Sequence, residues 1–233
     1  MSTKIEWCDK VWNPITGCEA ISEGCKGCYA ERYAENRLRG RFGYPEVDPF
    51  KPGTVHEDKF YTPLHWRKPR KIFTVSMGDL FHEDVSNFHI AHVFGIAAYM
   101  TQHTFIIITK RPENMRKWFD WVQEFEAPFV DGGWKEDPIN TCILQAFRQG
   151  NDEEWVEKYF DSCHQWPLPN VWIGVTAENQ KRADERIPLL LQTPSAVRFV
   201  SVEPMLGPVN FDYIPLEPDD INSMHFSALS DHN

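Results

Sequence analysis

The chain has no apolar segment long enough to cross a membrane. Its best apolar stretch, residues 93–100, falls far short of the roughly 20 residues that a membrane helix needs. Residues 1–6 contain no hydrophobic core of a signal peptide, so we expect a cytoplasmic protein that does not enter a membrane. Internal repeats and low-complexity tracts are also missing, which disfavours repeat proteins and disordered proteins.

Positively charged residues are outnumbered: the chain has 24 Lys and Arg but 34 Asp and Glu, so its net charge is −10. An acidic chain repels the phosphate backbone, so broad, nonspecific binding of nucleic acid is disfavoured and only a local basic groove remains compatible. Apolar residues make up 42% and charged residues 25%, which is typical of a globular protein. The length of 233 residues suits one domain with a sizeable core.

Short β-branched runs alternate with helical patterns from residue 71 onward. The pattern predicts strands at 71–76, 104–109, 171–176 and 197–202, and helices at 87–102, 112–124 and 179–191. An N-terminal unit adds a strand at 11–16 and a helix at 29–39. Strands that alternate with helices of this length predict right-handed βαβ units and a mostly parallel sheet. We therefore expect an α/β fold, a partial (β/α) barrel of about five units with an incomplete C-terminal end.

Three stretches interrupt this alternation. We assign residues 1–211 to one domain with insertions at about 40–69 and 126–170, and residues 212–233 to an irregular tail. The first insertion is rich in Pro, Gly and aromatic residues, and we expect it to run over the surface. The second is acidic and aromatic, with a helix predicted at 152–161.

Four of the six cysteines lie within the first 28 residues. In a reducing compartment, clustered cysteines favour a metal site or catalysis over disulfides. Cys18, Cys25 and Cys28 have the spacing C-x6-C-x2-C, and each has a glycine neighbour. Three thiolates can hold three corners of a [4Fe–4S] cluster and leave one iron open for a substrate or cosubstrate.

Three other interpretations of these cysteines stay open. Adding Cys8 gives a four-cysteine structural zinc site with Cys18, Cys25 and Cys28. Cys25 and Cys28 alone match a redox pair, although the expected strand context is missing. The last interpretation treats all four as plain buried thiols.

Polar residues follow the predicted strands at their carboxyl ends, where the active sites of β/α proteins collect. They are Asp79, Lys110, Arg111, Glu178, Asn179 and Glu203. The two adjacent cations suit a carboxylate or phosphate, and the carboxylates suit an ammonium group or ribose hydroxyls. Helix capping is the alternative role, which suits Asp79 and Asn179. The segment from His82 to Asp84 also suggests a metal site, but no second histidine cluster has a matching spacing, so we do not assign one.

Longer motifs extend along most of the chain, from residue 4 to about 210. They are Ile5-Glu6-Trp7, Trp12-Asn13-Pro14, Gly17-Cys18, Gly24-Cys25, Cys28-Tyr29-Ala30, the sequence MGDLFHE at 77–83, ITKRP at 108–112, VWIGV at 171–175, ENQ at 178–180 and SVEP at 201–204. Together they resemble a phage and prophage family known as a domain of unknown function with a three-cysteine motif. That family is regarded as similar to radical S-adenosylmethionine (SAM) enzymes.

The resemblance implies a partial barrel with Cys18, Cys25 and Cys28 holding a [4Fe–4S] cluster whose open iron binds SAM. In such enzymes, reductive cleavage of SAM gives a 5′-deoxyadenosyl radical that abstracts hydrogen from the substrate. By position, Tyr29 would lie near the adenine. Ser76, Gly78 and Asp79 would correspond to the Gly-rich element that holds the SAM amino group. The remaining residues expected to bind the cofactor follow the strands: Lys110, Arg111, Glu178 and Glu203. The resemblance does not identify the catalytic residues or the substrate. A nucleic-acid-linked compound is one substrate class that we consider.

The chain departs from these patterns in three ways. Its cysteine spacing differs from the C-x3-C-x2-C of radical SAM enzymes, so SAM is inferred from the resemblance. Relatives continue into another strand with a Gly-Gly-Glu-Ser-Gly-like turn, which residues 211–233 lack. We therefore expect either a partner protein that supplies the missing part or a noncatalytic, degenerate phage protein. Cys8 stands where the family has another residue, which disfavours it as a fourth ligand.

Overall fold

A computed structural model describes residues 5–124, Cys142 and residues 165–215. The helix predicted at 152–161, Cys163 and the tail beyond residue 215 lie outside the described residues. Among residues 5–124 and 165–215, no helix combines the length and apolar composition that a membrane span requires.

Five strands form one parallel sheet in the described part of the chain, in the spatial order β1, β4, β5, β6, β7. They are β1 (Lys10–Trp12), β4 (Lys71–Thr74), β5 (Thr104–Thr109), β6 (Val171–Thr176) and β7 (Val197–Ser201). Two short strands, β2 (Ile15–Thr16) and β3 (Thr54–Val55), form a separate antiparallel pair. Within the described residues β1 and β7 are the edges, so this sheet is open and not a closed barrel.

Four α-helices accompany the strands in the described residues: α1 (Tyr29–Tyr33), α2 (Asn87–Tyr99), α3 (Pro112–Glu124) and α4 (Gln180–Gln192). Short 3-10 turns lie at Glu23–Cys25, Glu57–Lys59 and Thr62–His65. The predicted α/β class and parallel sheet are confirmed. The strands predicted at 104–109 and 171–176 and the helix predicted at 112–124 are confirmed at both ends.

Local sequence explains why these elements form. The β-branched run of β5 is buried over most of its length, as expected for a central strand of a parallel sheet. Pro112 begins α3, because proline has no backbone N–H to lose at the first helical position. The Asn179 side chain accepts a hydrogen bond from the Arg182 backbone N–H at 3.0 Å and caps α4, as predicted.

The single strand predicted at 11–16 is wrong. The chain leaves the parallel sheet after Trp12, and Ile15–Thr16 pairs instead with β3. Pro14 has no N–H to donate to a ladder, while its carbonyl accepts a hydrogen bond from the His56 backbone N–H at 2.8 Å. The helix predicted at 29–39 begins at Tyr29, but it continues as a wider π-helical turn over Ala34–Leu38.

One hydrophobic cluster joins the sheet to α2, α3 and α4. Its largest fully buried members include Trp12, Ile72, Phe94, Phe105, Ile107, Trp118 and Phe119. The segment 40–69, expected to run over the surface, contributes the fully buried Phe60, whose ring stacks on His92 with centroids 4.0 Å apart. Ile214, from the segment assigned to the tail, is also buried in this cluster.

Two buried histidines predict that the fold loses stability on acidification. Burial, reinforced by Lys59, lowers the pKa of His56 to about 4, and burial beside His89 lowers the pKa of His92 to about 4. The unfolded chain keeps a histidine pKa of about 6.5, so it binds more protons than the folded chain between these values. The free energy of unfolding therefore falls as the pH drops through this window, and urea unfolding at about pH 7 and about pH 5 measures the change.

A pair of variants separates this effect from general acid sensitivity. His92→Phe keeps a ring against Phe60 and should reduce the pH dependence, whereas replacement of the exposed His65 by Gln should leave it unchanged. A wild-type unfolding free energy that stays constant or rises on acidification would contradict the prediction.

Candidate metal and cofactor site

The cysteine loop, residues 17–28, is tied by its backbone to the turn that follows β4. The Gly17 N–H donates to the Met77 carbonyl at 2.9 Å, and Gly17 and Gly78 form a parallel bridge. Gly17 has a φ of +86°, and a Cβ there would lie 1.8 Å from the Lys51 carbonyl oxygen. A Cβ at Gly78 would lie 2.8 Å from the Gly17 carbonyl oxygen. Both positions need glycine because two backbones meet there.

Tyr29 and Ser76 join the same two segments through side chains. The Tyr29 hydroxyl donates to the Ser76 carbonyl at 2.6 Å. Asn13 Oδ1 accepts from the Ser76 hydroxyl at 3.2 Å and from the Met77 N–H at 3.1 Å. The Tyr29 residue nevertheless stays more than half exposed beside the loop.

Arg111 reaches Cys18 from the end of β5. Its Nη1 donates to Cys18 Sγ at 3.2 Å, and its Nη2 donates to the Glu19 carbonyl at 3.3 Å. Burial, together with the Asp79 carboxylate, raises the pKa of Cys18 to about 11, against the opposing effect of the Arg111 guanidinium. The thiol is therefore protonated at neutral pH, and a metal that binds it must displace that proton.

Lys110 approaches Cys25 from the same strand end. Its Nζ donates to the Gly24 carbonyl at 3.4 Å and lies 3.9 Å from Cys25 Sγ. Burial alone would raise the pKa of Cys25, but hydrogen bonds from the Ile21 backbone and from Ser22, with the Lys110 ammonium, hold it below its ordinary value. The thiolate of Cys25 is therefore easier to form than that of an ordinary cysteine.

Cys28 immediately precedes α1 and, like Cys18, packs against a small apolar cluster separate from the main core. Among the described residues, no three cysteines have all their sulfur atoms within 4.8 Å of one another. A zinc ion with Zn–S bonds of about 2.3 Å would hold tetrahedral sulfur ligands about 3.8 Å apart. A cubane cluster binds each thiolate to a different iron and so separates them further. In the described residues, therefore, the three thiols are not gathered as the ligands of one zinc ion would be.

The Asp79 carboxylate holds the chain at Lys110 and Arg111, just after β5. Its carboxylate accepts from the Thr109 hydroxyl at 2.7 Å and from the Lys110 N–H at 3.1 Å, and Arg111 Nη1 lies 3.5 Å away. It also accepts from the Phe81 N–H at 3.0 Å. The carboxylate is buried and engaged with the chain's own groups, so it positions Lys110 and Arg111 and does not cap a helix.

Glu178 anchors the cysteine loop to the end of β6. Its side chain is fully buried, and Oε2 accepts from Arg186 Nη1 at 2.7 Å, while Oε1 accepts a short hydrogen bond from the Ser22 hydroxyl. A Cβ at Gly24 would lie 2.6 Å from Glu178 Oε1, so the loop packs directly on this carboxylate. Glu203, in contrast, lies exposed just after β7.

A second ion pair ties the same loop to α4. Arg182 Nη2 donates to Glu23 Oε2 at 2.7 Å, and Asn179 Nδ2 donates to Glu23 Oε1 at 2.5 Å. The hydrogen bond from Arg182 lowers the pKa of the Glu23 carboxyl to about 2. The loop is thus held by residues that follow β6, in addition to Lys110 and Arg111, which follow β5.

Sequence reasoning missed several groups that complete this arrangement. Thr109 bridges Asp79 and the Arg111 N–H, which donates to its hydroxyl at 2.9 Å. Ser22 and Arg186 flank Glu178. The position of Thr109 at the end of a predicted strand is a signal that would have found it. No local signal marks Ser22, because its partner lies 156 residues away.

Comparison with known proteins returns one family. A family model described as a protein of unknown function (DUF5131) matches residues 2–222, nearly the whole chain. Neither a curated protein nor a solved structure matches the chain significantly.

Proposed function

The chain belongs to the DUF5131 family, and we propose that it is an iron–sulfur protein of radical-SAM type, with Cys18, Cys25 and Cys28 holding a [4Fe–4S] cluster. The convergence of two cations on two of these thiols carries the proposal: Arg111 contacts Cys18 and Lys110 approaches Cys25. Arg111 opposes the effect of burial on the pKa of Cys18, and Lys110 helps to lower the pKa of Cys25, so both cations favour the thiolate forms that bind iron. Hydrogen bonds to cluster thiolates are also a means by which proteins adjust a cluster's reduction potential.

The order of the strands supports a partial (β/α) barrel. The parallel strands follow one another in chain order across the sheet, as they do in the wall of a barrel. The cysteine loop, the turn after β4 and the residues after β5 and β6 all belong to the carboxyl edge. That edge is where barrel enzymes build their active sites.

Several side chains of this edge suit SAM. When bound, the cluster supplies an electron for the reductive cleavage of SAM, which starts radical chemistry on the substrate. Tyr29 offers an exposed ring for stacking of the adenine beside Ser76. The Lys110 ammonium has three donors, of which two face Gly24 and Cys25, so one remains for a carboxylate.

A cytoplasmic location forms part of the proposal. It rests on the clustering of Cys18, Cys25 and Cys28, because clustered cysteines in a reducing compartment favour a metal site over disulfides. The relation to phage proteins rests on the sequence motifs alone.

Anaerobic reconstitution tests the cluster. The purified full chain, supplied with iron and sulfide, should bind about four of each per chain and turn brown. Reduction with dithionite in the presence of SAM should then release 5′-deoxyadenosine. Zinc as the bound metal, with no sulfide, would contradict the cluster.

A noncatalytic, metal-stabilised protein is the second candidate. The carboxylates of Asp79 and Glu178, predicted for cofactor binding, are engaged with the chain's own groups, which favours a structural role. Such a protein would assemble the metal site without cleaving SAM. A structural zinc on Cys8, Cys18, Cys25 and Cys28 would give one zinc per chain.

If a partner protein completes the pocket, the active form should elute from gel filtration as a complex with that partner.

A further inference from the structure

A second group of metal-binding side chains lies beside the cysteine loop. It consists of Glu19, which follows Cys18 directly, and of His82 and Glu83, which lie between β4 and α2. One ligand atom from each of these three side chains lies within 4.8 Å of the other two. The three residues were not joined by the sequence pattern, because Glu19 belongs to a different loop.

His82 is the residue that points to a ligand. Its side chain is only 2% exposed, and its Nε2 has no hydrogen-bond partner. A buried polar atom without a partner is costly, so such atoms usually have an occupant. The same Nε2 lies 3.9 Å from Glu19 Oε1, so the unpartnered nitrogen faces the carboxylate.

The surroundings of His82 allow Nε2 to act as a ligand. In the structure, Nδ1 accepts a hydrogen bond from the Asp84 N–H at 3.1 Å. A metal on Nε2 requires the ring hydrogen to be on Nδ1. The hydrogen bond from the Asp84 N–H to Nδ1 is then lost. The carboxylate of Asp84, which is not one of the proposed ligands, lies 3.9 Å from Nδ1 on this side of the ring and is placed to accept a hydrogen bond from it. A carboxylate behind the ring is the usual support of a metal-bound histidine.

Glu83 is oriented by its neighbours. Its Oε2 accepts from Arg111 Nε at 3.3 Å and from Asn114 Nδ2 at 3.4 Å, which leaves its other oxygen for an ion. The side chains of Glu19 and Glu83 are 60% and 57% exposed, so the mouth of the group is open to water. One imidazole and two carboxylates suit a divalent first-row transition metal.

We propose that Glu19, His82 and Glu83 bind a divalent transition-metal ion, with water at the remaining positions. The site is separate from the three cysteines and does not depend on the proposed function. Arg111 contacts both sites, since it donates to Cys18 and to Glu83.

Titration with Mn²⁺ tests the site, because this ion prefers oxygen and nitrogen ligands to thiolates. The full chain should bind one Mn²⁺, seen as loss of the electron paramagnetic resonance signal of the free ion. Glu19→Gln and His82→Phe should each weaken binding about tenfold or more. Glu124→Gln, at the exposed end of α3, should leave binding unchanged.

Two further measurements keep the outcome unambiguous. Cys25→Ser should retain Mn²⁺ binding, because Cys25 is outside the proposed ligand set. Urea unfolding of the His82→Phe variant checks that it is folded, and the exposed Glu19 variant gives a second test that does not disturb the core. Absence of Mn²⁺ binding in the wild type, or binding that Glu19→Gln leaves unchanged, would overturn the proposal. Binding lost in Cys25→Ser would also overturn it, by placing the ion at the thiols.

Discussion

Replacement of Cys25 by alanine is expected to remove most of the iron, the sulfide and the brown colour from the anaerobically reconstituted protein. Cys25 is the thiol whose pKa the protein lowers, and its sulfur lies 3.9 Å from the Lys110 ammonium. A cluster with three protein ligands that loses one keeps only two, which is too few to hold it firmly. Iron and sulfide analysis, with the visible absorption spectrum, measures the loss.

Cys8→Ala is the matched control. Cys8 is buried and precedes β1 in the chain, whereas the cysteine loop follows β2. We expect this variant to keep about four iron and four sulfide per chain. An equal loss in Cys8→Ala would make Cys8 a fourth ligand, as the four-cysteine interpretation requires. A Cys25→Ala variant that keeps its colour would contradict the proposed ligand set.

Replacement of Arg186 by methionine is expected to lower the free energy of unfolding by about 3–5 kcal/mol, as is typical when one partner of a buried ion pair is removed. The Glu178 carboxylate is fully buried, and Arg186 Nη1 donates to it at 2.7 Å and to the Thr176 carbonyl at 2.7 Å. The variant leaves a buried charge uncompensated beneath the cysteine loop, which Ser22 ties to the same carboxylate. Urea unfolding of the apoprotein measures the effect.

The same substitution at an exposed position provides the control. Arg116 on α3 is exposed and donates to Gln192 Oε1 at 2.9 Å, so Arg116→Met should change the free energy of unfolding by no more than about 0.5 kcal/mol. The double variant Glu178→Leu, Arg186→Met should recover part of the stability, since it removes the unpaired charge. A loss of less than about 1 kcal/mol in Arg186→Met would show that the pair does not stabilise the fold as the geometry indicates.

Much of the fold could be predicted because its signals are local. β5 and β6 are rich in β-branched residues, and a short run of such residues favours a buried strand whatever its neighbours in the sheet are. Proline marks the start of α3 because it has no backbone N–H, and Asn179 marks the start of α4 because its side-chain oxygen caps the helix. The first strand was predicted incorrectly because its end depends on Pro14 meeting His56, which lies in another segment.

The candidate site, too, could be predicted only in part from the sequence. The residue types were visible in the sequence: three closely spaced thiols, and charged side chains after predicted strands. Their assignments were not visible. The carboxylates of Asp79 and Glu178 accept hydrogen bonds from Thr109, Lys110, Ser22 and Arg186, which no local pattern indicates, and their role in cofactor binding stays a prediction.

The sequence by itself determined the α/β class, the positions of most strands and helices, and the set of residues with the chemistry to bind a metal or a charged ligand. Only the tertiary structure decided which of these residues meet. Arg111 and Cys18 are 93 residues apart, and Ser22 and Glu178 are 156 apart. Backbone preferences act over a few residues, whereas these contacts arise when the sheet brings distant loops to one edge. The grouping of Glu19 with His82 and Glu83 has the same origin.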